Sequence, residues 1–218
     1  MPLRFAVILA GCGNKDGAEI HESVLTLLAI DKAGHTYQCF APDIDQARVL
    51  NFITNEELKE KRNVMVEAAR IARSNIKPLS TFQAKEFDIL IIPGGTGVAH
   101  NLCSYAKDGV NMSINPDVSH AVTSMFQAKK PIGALCIAPV ILGKLLPGIT
   151  ITFGQDQKAN LAFHSLGVFT EDRGAQDIVI DAKNRLVTTP CYMVQAKISD
   201  ISIGIERCVL ALANMARD

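Results

Sequence analysis

The 218-residue sequence has no tryptophan, no net charge and no apolar run of membrane-spanning length. Its 22 basic side chains balance 22 acidic ones, which argues against a nucleic-acid partner, because phosphate binding draws on a surplus of Lys and Arg. Spanning a bilayer takes about 20 consecutive apolar residues, so no membrane segment is expected. No two cysteines stand two residues apart, which removes the zinc knuckle and the thioredoxin-like motif. The segment GCGNKDG (11–17) holds a Gly-x-Gly, but Asp16 occupies the third glycine position of a dinucleotide fingerprint, and no Walker pattern is present. His21-Glu22 opens like a zincin helix, yet Leu25 stands where the second histidine belongs. Neither a metal nor a cofactor is expected.

What is present is an ordinary globular mixture, 48% apolar and 20% charged, with six cysteines at 12, 39, 103, 136, 191 and 208. With that much core material no disulfide framework is needed. The thiols read as reduced cysteines of a cytoplasmic protein. Leu9-Ala10-Gly11-Cys12 spells a lipoprotein cleavage box, but the preceding apolar run is only FAVILA (5–10), short of the roughly 7–15 residues of a signal core. A buried first strand is the better reading.

Short aliphatic runs alternate with helical patterns. Strands are expected at 5–10, 36–41, 87–92, 131–136 and 149–153, with a hairpin of 178–180 and 186–189. Helices are expected at 22–33, 63–73, 115–129, 137–146, 157–166 and 199–216. The segment NVMVEAARIAR (63–73) places apolar residues three to four apart. Asn115-Pro116 supplies a cap and a first-turn proline. Segment 104–116 is polar and reads as an insertion loop. This order predicts one α/β domain, 1–218, with a mainly parallel sheet covered on both faces.

In such sheets ligands bind beyond the carboxyl ends of the strands. Three of those ends carry unusual residues: GCGNKDG, Pro93-Gly94-Gly95-Thr96-Gly97, and Cys136 before Ile137-Ala138-Pro139. A cysteine at a strand-to-helix turn projects above the sheet as in a nucleophile elbow, and nearby helix amides favour its thiolate, which lowers a thiol pKa to roughly 3.5–7.5. Packing alone would also explain Cys136. Gly94 and Gly95 could offer amides to an oxyanion, although tight turns select glycine for steric reasons too. Glu22, in a first helical turn, also suits the helix dipole. His100, His120 and His164 fall in no motif and are expected on the surface or in loops.

Taken together, GCGNKDGAEIHE (11–22), CFAPD (39–43), RNVMVEAARIAR (62–73), PGGTGVAHNL (93–102), CIAP (136–139) and LVTTPCYM (186–193) resemble the ThiJ/PfpI branch of the class I glutamine-amidotransferase-like superfamily. The chain is most similar there to the ElbB-type glyoxalases linked to isoprenoid biosynthesis. The resemblance implies a flavodoxin-like three-layer sandwich, a nucleophilic Cys136, an acid/base Glu22 with Glu19 as fallback, and oxyanion or substrate-binding groups at Gly94, Gly95 and Ile137. Cys12, Asp16, Glu19 and Asn101 are its candidate pocket residues. It implies a lyase that converts glyoxal, a small dicarbonyl, to glycolate without a cofactor, as a homodimer, with deglycase-type repair as a related activity. The amidotransferase histidine is missing: Ile137 follows the cysteine, and ITFGQDQ (151–157) contains none. The alternative is a redox-sensing or metabolite-binding protein built on a reactive cysteine.

Overall fold

Every side chain from Phe5 to Ala10 is buried, so strand β1 (Arg4–Ile8) lies inside the sheet with neighbours on both edges. The computed structural model describes residues 1–218. After β1 come α1 (Ile20–Lys32), β2 (Thr36–Ala41), α2 (Val64–Ile71), β3 (Ile76–Pro78) and β4 (Ile89–Ile92). A π-helical turn at Val98–Leu102 precedes α3 (Tyr105–Asp108), α4 (Pro116–Gln127), β5 (Ile132–Leu135) and α5 (Pro139–Leu145). The chain ends with β6 (Thr150–Ile151), α6 (Gln157–His164), β7 (Phe169–Thr170), β8 (Val179–Asp181), β9 (Leu186–Thr189) and α7 (Ile198–Met215).

Seven strands form the main sheet in the order β3-β2-β1-β4-β5-β9-β8, and β6 and β7 make a separate two-stranded parallel ladder. All pairings in the main sheet are parallel except β8 with β9. From β1 the chain first builds outward through β2 and β3, then returns to the other side of β1 with β4 and β5. Right-handed crossovers therefore put α1 and α2 on one face and α4 on the other. α7 packs beside α1 and against β5 and β9, while α4 packs on β4, β5 and α5. Two helical layers on a mainly parallel sheet make this a flavodoxin-like α/β fold, and the reversal of strand order between β1 and β4 creates the crevice in which such folds bind ligands.

Local chemistry sets the element ends. Asn63 caps α2 by accepting from the Val66 N–H at 3.0 Å, and Asn115 caps α4 by accepting from Asp117 N–H at 3.0 Å with Pro116 in the first turn. Gly133 in β5 lets α7 approach, since a Cβ there would lie 2.6 Å from Leu212 Cδ1. One core of 56 buried residues runs through the layers.

Several segments differ from their sequence reading: the expected strand 149–153 shrinks to β6, and β7 and the π-helical turn at Val98–Leu102 have no counterpart in it. Residues 104–116 are not a plain loop. The Cys103–Ile114 bridge and the Ser113 N–H donating to Ser104 Oγ at 2.9 Å close the segment, and α3 with a 3-10 turn at Gly109–Asn111 fills it. The edge strand β3 is absent from the sequence reading because it is only three residues long, none fully buried, and ends in a proline. No helix is long and apolar enough to cross a membrane.

Candidate functional site

Four strand ends converge on one cavity of about 550 Å³. The turn after β1 contributes Asn14, and the start of α1 contributes Glu19 and His21. Gly95 and Thr96 follow β4, Cys136 and Ile137 follow β5, and Tyr192 and Met193 follow β9. The β5 end is a sharp elbow. Cys136 has φ +57°, a left-handed conformation that costs a non-glycine residue about 1–3 kcal/mol. The Cys136 N–H is anchored on the Thr189 carbonyl at 2.9 Å, so the ends of β5 and β9 fix the turn together. The chain then enters α5 at Pro139.

Glu22 lies beneath the elbow, wholly buried in the first turn of α1. Its Oε2 accepts the Gly94 N–H at 2.9 Å, while Oε1 is buried with no other hydrogen-bond partner. Burial, followed by the nearby Glu19 carboxylate, pushes the Glu22 pKa up to about 8, against the pull of the Gly94 N–H. Glu22 therefore holds a proton at neutral pH. Glu19 is the N-cap of α1, its Oε2 accepting the Glu22 N–H at 2.7 Å, and its backbone N–H donates to Gly94 O at 2.9 Å. It thereby orients Glu22 and also lines the cavity.

The expectation of a lowered Cys136 pKa is corrected. Burial and then the Glu22 carboxylate push the thiol well above its ordinary value, and the amides of Gly95 and Ile137 oppose this only in part. Neither amide donates to a backbone carbonyl, so both remain free to meet negative charge at the sulfur. Thiol and carboxyl form a coupled pair whose protons belong to both groups. A neutral Glu22 removes the carboxylate repulsion, and burial alone then holds the proton on a thiol that faces two amide donors.

Gly94 has a different place from the one expected. Its N–H is spent on Glu22, so it offers nothing to an oxyanion; what it supplies is space. Gly95, at φ +99°, turns its own amide toward the sulfur. Three of the candidate pocket residues lie away from the cavity. Asn101 donates to Ala10 O at 2.9 Å and Asp16 O at 3.0 Å and accepts from Ala47 N–H at 2.9 Å. Asp16 accepts the Leu50 N–H at 2.9 Å, which ties the 43–63 loop to the β1 turn. Both hold the loop because buried backbone groups need partners. Cys12 is half-buried near Glu67 and Arg70 of α2, and burial raises its thiol.

Other residues belong to the site without having been singled out. His21, set aside as a metal ligand, brings Nδ1 to 2.9 Å from the Tyr192 hydroxyl across the cavity mouth. Cys191 is buried close enough to Glu22 and Cys136 for both to raise its pKa, with burial the larger cause. The motif LVTTPCYM was the available signal for Cys191 and Tyr192, but it reads as a strand end, and nothing in it says which cavity it faces. Cys39 and Cys208 are pushed up to about 12 by burial alone. His120 and His164 are exposed and His100 is half-buried, all outside the cavity. No group of three or more His, Cys, Asp or Glu side chains is arranged to hold a metal.

Comparison with known proteins adds the following. The model of the DJ-1/PfpI family matches residues 12–191. The ES1 protein homolog, mitochondrial, of Rattus norvegicus is 38% identical over 93% of this chain and 80% of its own length. The human glutamine amidotransferase-like class 1 domain-containing protein 3, mitochondrial, is 37% identical over 93% of this chain and 79% of its own. A crystal structure of an isoprenoid biosynthesis protein with amidotransferase-like domain from Ehrlichia chaffeensis superposes with TM-score 0.91 at 37% identity, covering 98% of this chain and 99% of that one. The names of the curated relatives overturn the cytoplasmic expectation, because they point to mitochondria. Six free thiols separate a reducing compartment from an oxidising one, but not one reducing compartment from another.

Proposed function

The chain belongs to the DJ-1/PfpI family, and from that membership and the Cys136–Glu22 pair we propose that it is a cofactor-independent glyoxalase. The observation that carries the reading is a carboxyl kept protonated to about pH 8 by burial, beside an elbow cysteine that faces two unspent amides.

In the proposed reaction the Cys136 thiol loses its proton to solvent as its sulfur adds to one aldehyde of glyoxal, the C–S bond forming as the carbonyl π bond opens, and the oxyanion takes the Glu22 proton to give a hemithioacetal. The amides of Gly95 and Ile137 stabilise that oxyanion. Glu22, having given up its proton, removes the hydrogen of the sulfur-bearing carbon as H⁺ and returns it to the neighbouring carbon through an enediol. One carbon is thereby oxidised and the other reduced within the same molecule, so no external electron acceptor is needed. Water cleaves the resulting thioester, releasing glycolate and the thiol. Deglycase-type repair would use the same adduct with an amine or thiol as leaving group.

The decisive experiment follows glyoxal consumption and glycolate formation by the wild type, Cys136→Ala and Glu22→Gln. Loss in both variants supports the pair, and equal rates in all three remove it. A homodimer belongs to the same proposal. It is supported by the apolar stripe Ile20, Val24 and Leu28, each more than 40% exposed on α1, and a monomeric mass in light scattering would end it. Mitochondrial residence is proposed from the names of the curated relatives.

A further inference from the structure

Nothing with a fixed positive charge lines the cavity. Its polar groups are Asn14, Thr96, the Tyr192 hydroxyl, His21 and the Glu19 carboxylate, and neither a Lys nor an Arg reaches it. His21, the one group there able to gain a positive charge, has its Nδ1 tied to Tyr192 and lies 4.0 Å from Glu19 Oε1. The surrounding groups register the same field. Tyr192 and Cys191 are pushed up by burial and then by nearby carboxylates or thiols, with no cation opposing the shift in either.

An anionic substrate entering this cavity would shed its water and find no cationic partner, and an unpaired desolvated charge is among the costliest things to bury. A cation would meet the Glu19 carboxylate, which attracts it by charge, and the Tyr192 ring of the cavity wall, whose quadrupole also favours a cation. The volume bears on size as well. At about 550 Å³ the cavity falls within the roughly 300–1,000 Å³ of pockets that hold drug-sized ligands, so a two-carbon dialdehyde leaves most of it empty.

We propose that the preferred substrate is a 2-oxoaldehyde bearing a cationic amine, held by Glu19 and Tyr192, and that carbonyl compounds carrying carboxylate or phosphate are turned away. The inference rests on the proposed chemistry at Cys136 and names what that chemistry acts upon. Glyoxal is then the smallest compound the site accepts.

Two measurements on the full chain separate this inference from the glyoxalase reading. First, Cys136 is labelled with 2-aminoethyl and 2-sulfonatoethyl methanethiosulfonate, which share one attacking chemistry and differ in charge. Peptide mapping separates its label from that of Cys12, and each rate is normalised to a small free thiol. The cationic reagent is expected to react at least tenfold faster, and Glu19→Gln, which keeps the helix cap, is expected to bring the ratio toward one. Equal rates in the wild type would overturn the proposal whatever the turnover of glyoxal. Second, kcat/KM is compared for a 2-oxoaldehyde ending in a quaternary ammonium and for its carboxylate counterpart of equal length. A tenfold preference for the cation supports the proposal, and parity or a preference for the anion refutes it. Charge-selective labelling with no turnover of any oxoaldehyde would sink the glyoxalase reading and leave the charge selection standing.

Discussion

Glu22 and Cys136 face each other across Gly94, and only a glycine fits between them. A Cβ on Gly94 would stand 2.6 Å from Glu22 Oε2 and 2.4 Å from Cys136 Cβ. Gly94→Ala must therefore move the elbow or the carboxyl. Overpacking of this kind costs about 1–3 kcal/mol, and the atoms displaced are those of the proposed reacting pair. The expected outcome is a fall of at least 100-fold in kcat/KM for glyoxal with a melting temperature lowered by only a few degrees. Near-normal activity in this variant would mean that the pair is not the reacting unit.

Glu22 also sets a pH dependence of stability. Its pKa rises from 4.5 to about 8 on folding, so between those values the folded state holds a proton that the unfolded state has lost. The protein therefore loses stability as pH climbs from about 4.5 to about 8, by an amount on the order of a few kcal/mol. Glu22→Gln, which is neutral throughout, should flatten that slope. Urea midpoints at pH 5, 6.5 and 8 for the two proteins test this, and parallel slopes would contradict it.

The same carboxyl governs the thiol. Because the Glu22 charge is the second cause of the raised Cys136 pKa, after burial, Glu22→Gln should shift the pH profile of iodoacetamide labelling at Cys136 to lower pH. A shift to higher pH would mean that Glu22 acts mainly as a proton donor to the thiolate.

Asp16 is expected to matter for the 43–63 loop and not for the cavity. Its carboxylate accepts the Leu50 N–H, and leaving that amide unpaired costs about 1–3 kcal/mol. Asp16→Ala should open the loop to limited proteolysis at the Phe52–Ile53 region, where Ile53 is already 92% exposed, while kcat stays within threefold of the wild type. A cleavage pattern unchanged from the wild type would refute the tie.

Tyr192→Phe removes the hydroxyl facing His21 Nδ1 at 2.9 Å and leaves the ring. A hydrogen bond of this type contributes about 0.5–1.5 kcal/mol, so KM is expected to rise up to about tenfold with kcat little changed. A collapse of kcat would instead place the hydroxyl on the reacting atoms.

Much of the architecture was legible in the sequence because β4 and β5 are short, purely apolar runs, β1 is one after Arg4, and α2 and α4 carry asparagine caps, with a first-turn proline in α4. Cys136 was legible for a similar reason: a strand running directly into Ile-Ala-Pro admits few geometries besides an elbow. The thiol's electrostatics were not legible. Sequence placed the cysteine near helix amides, but only the fold shows that its own burial, and then the Glu22 charge beside it, outweigh them. The roles of Asp16 and Asn101 escaped for want of the loop they hold, since a polar residue near a glycine-rich turn looks the same whether it faces a ligand or a backbone amide. Tyr192 and His21 meet only after β9 is laid beside β5, and neither residue announces the other.

The cavity draws on the ends of β1, β4, β5 and β9, so its last walls, Tyr192 and Met193, are made from chain synthesised well after Cys136. A growing polypeptide that has just released Cys136 from the ribosome has neither the Thr189 carbonyl that anchors the elbow nor the turn that closes the mouth. Until β9 arrives, Cys136 is an ordinary cysteine in an unfinished sheet. The cavity is thus finished only by completion of the fold, and a truncated product lacking β9 would carry the thiol without the walls around it.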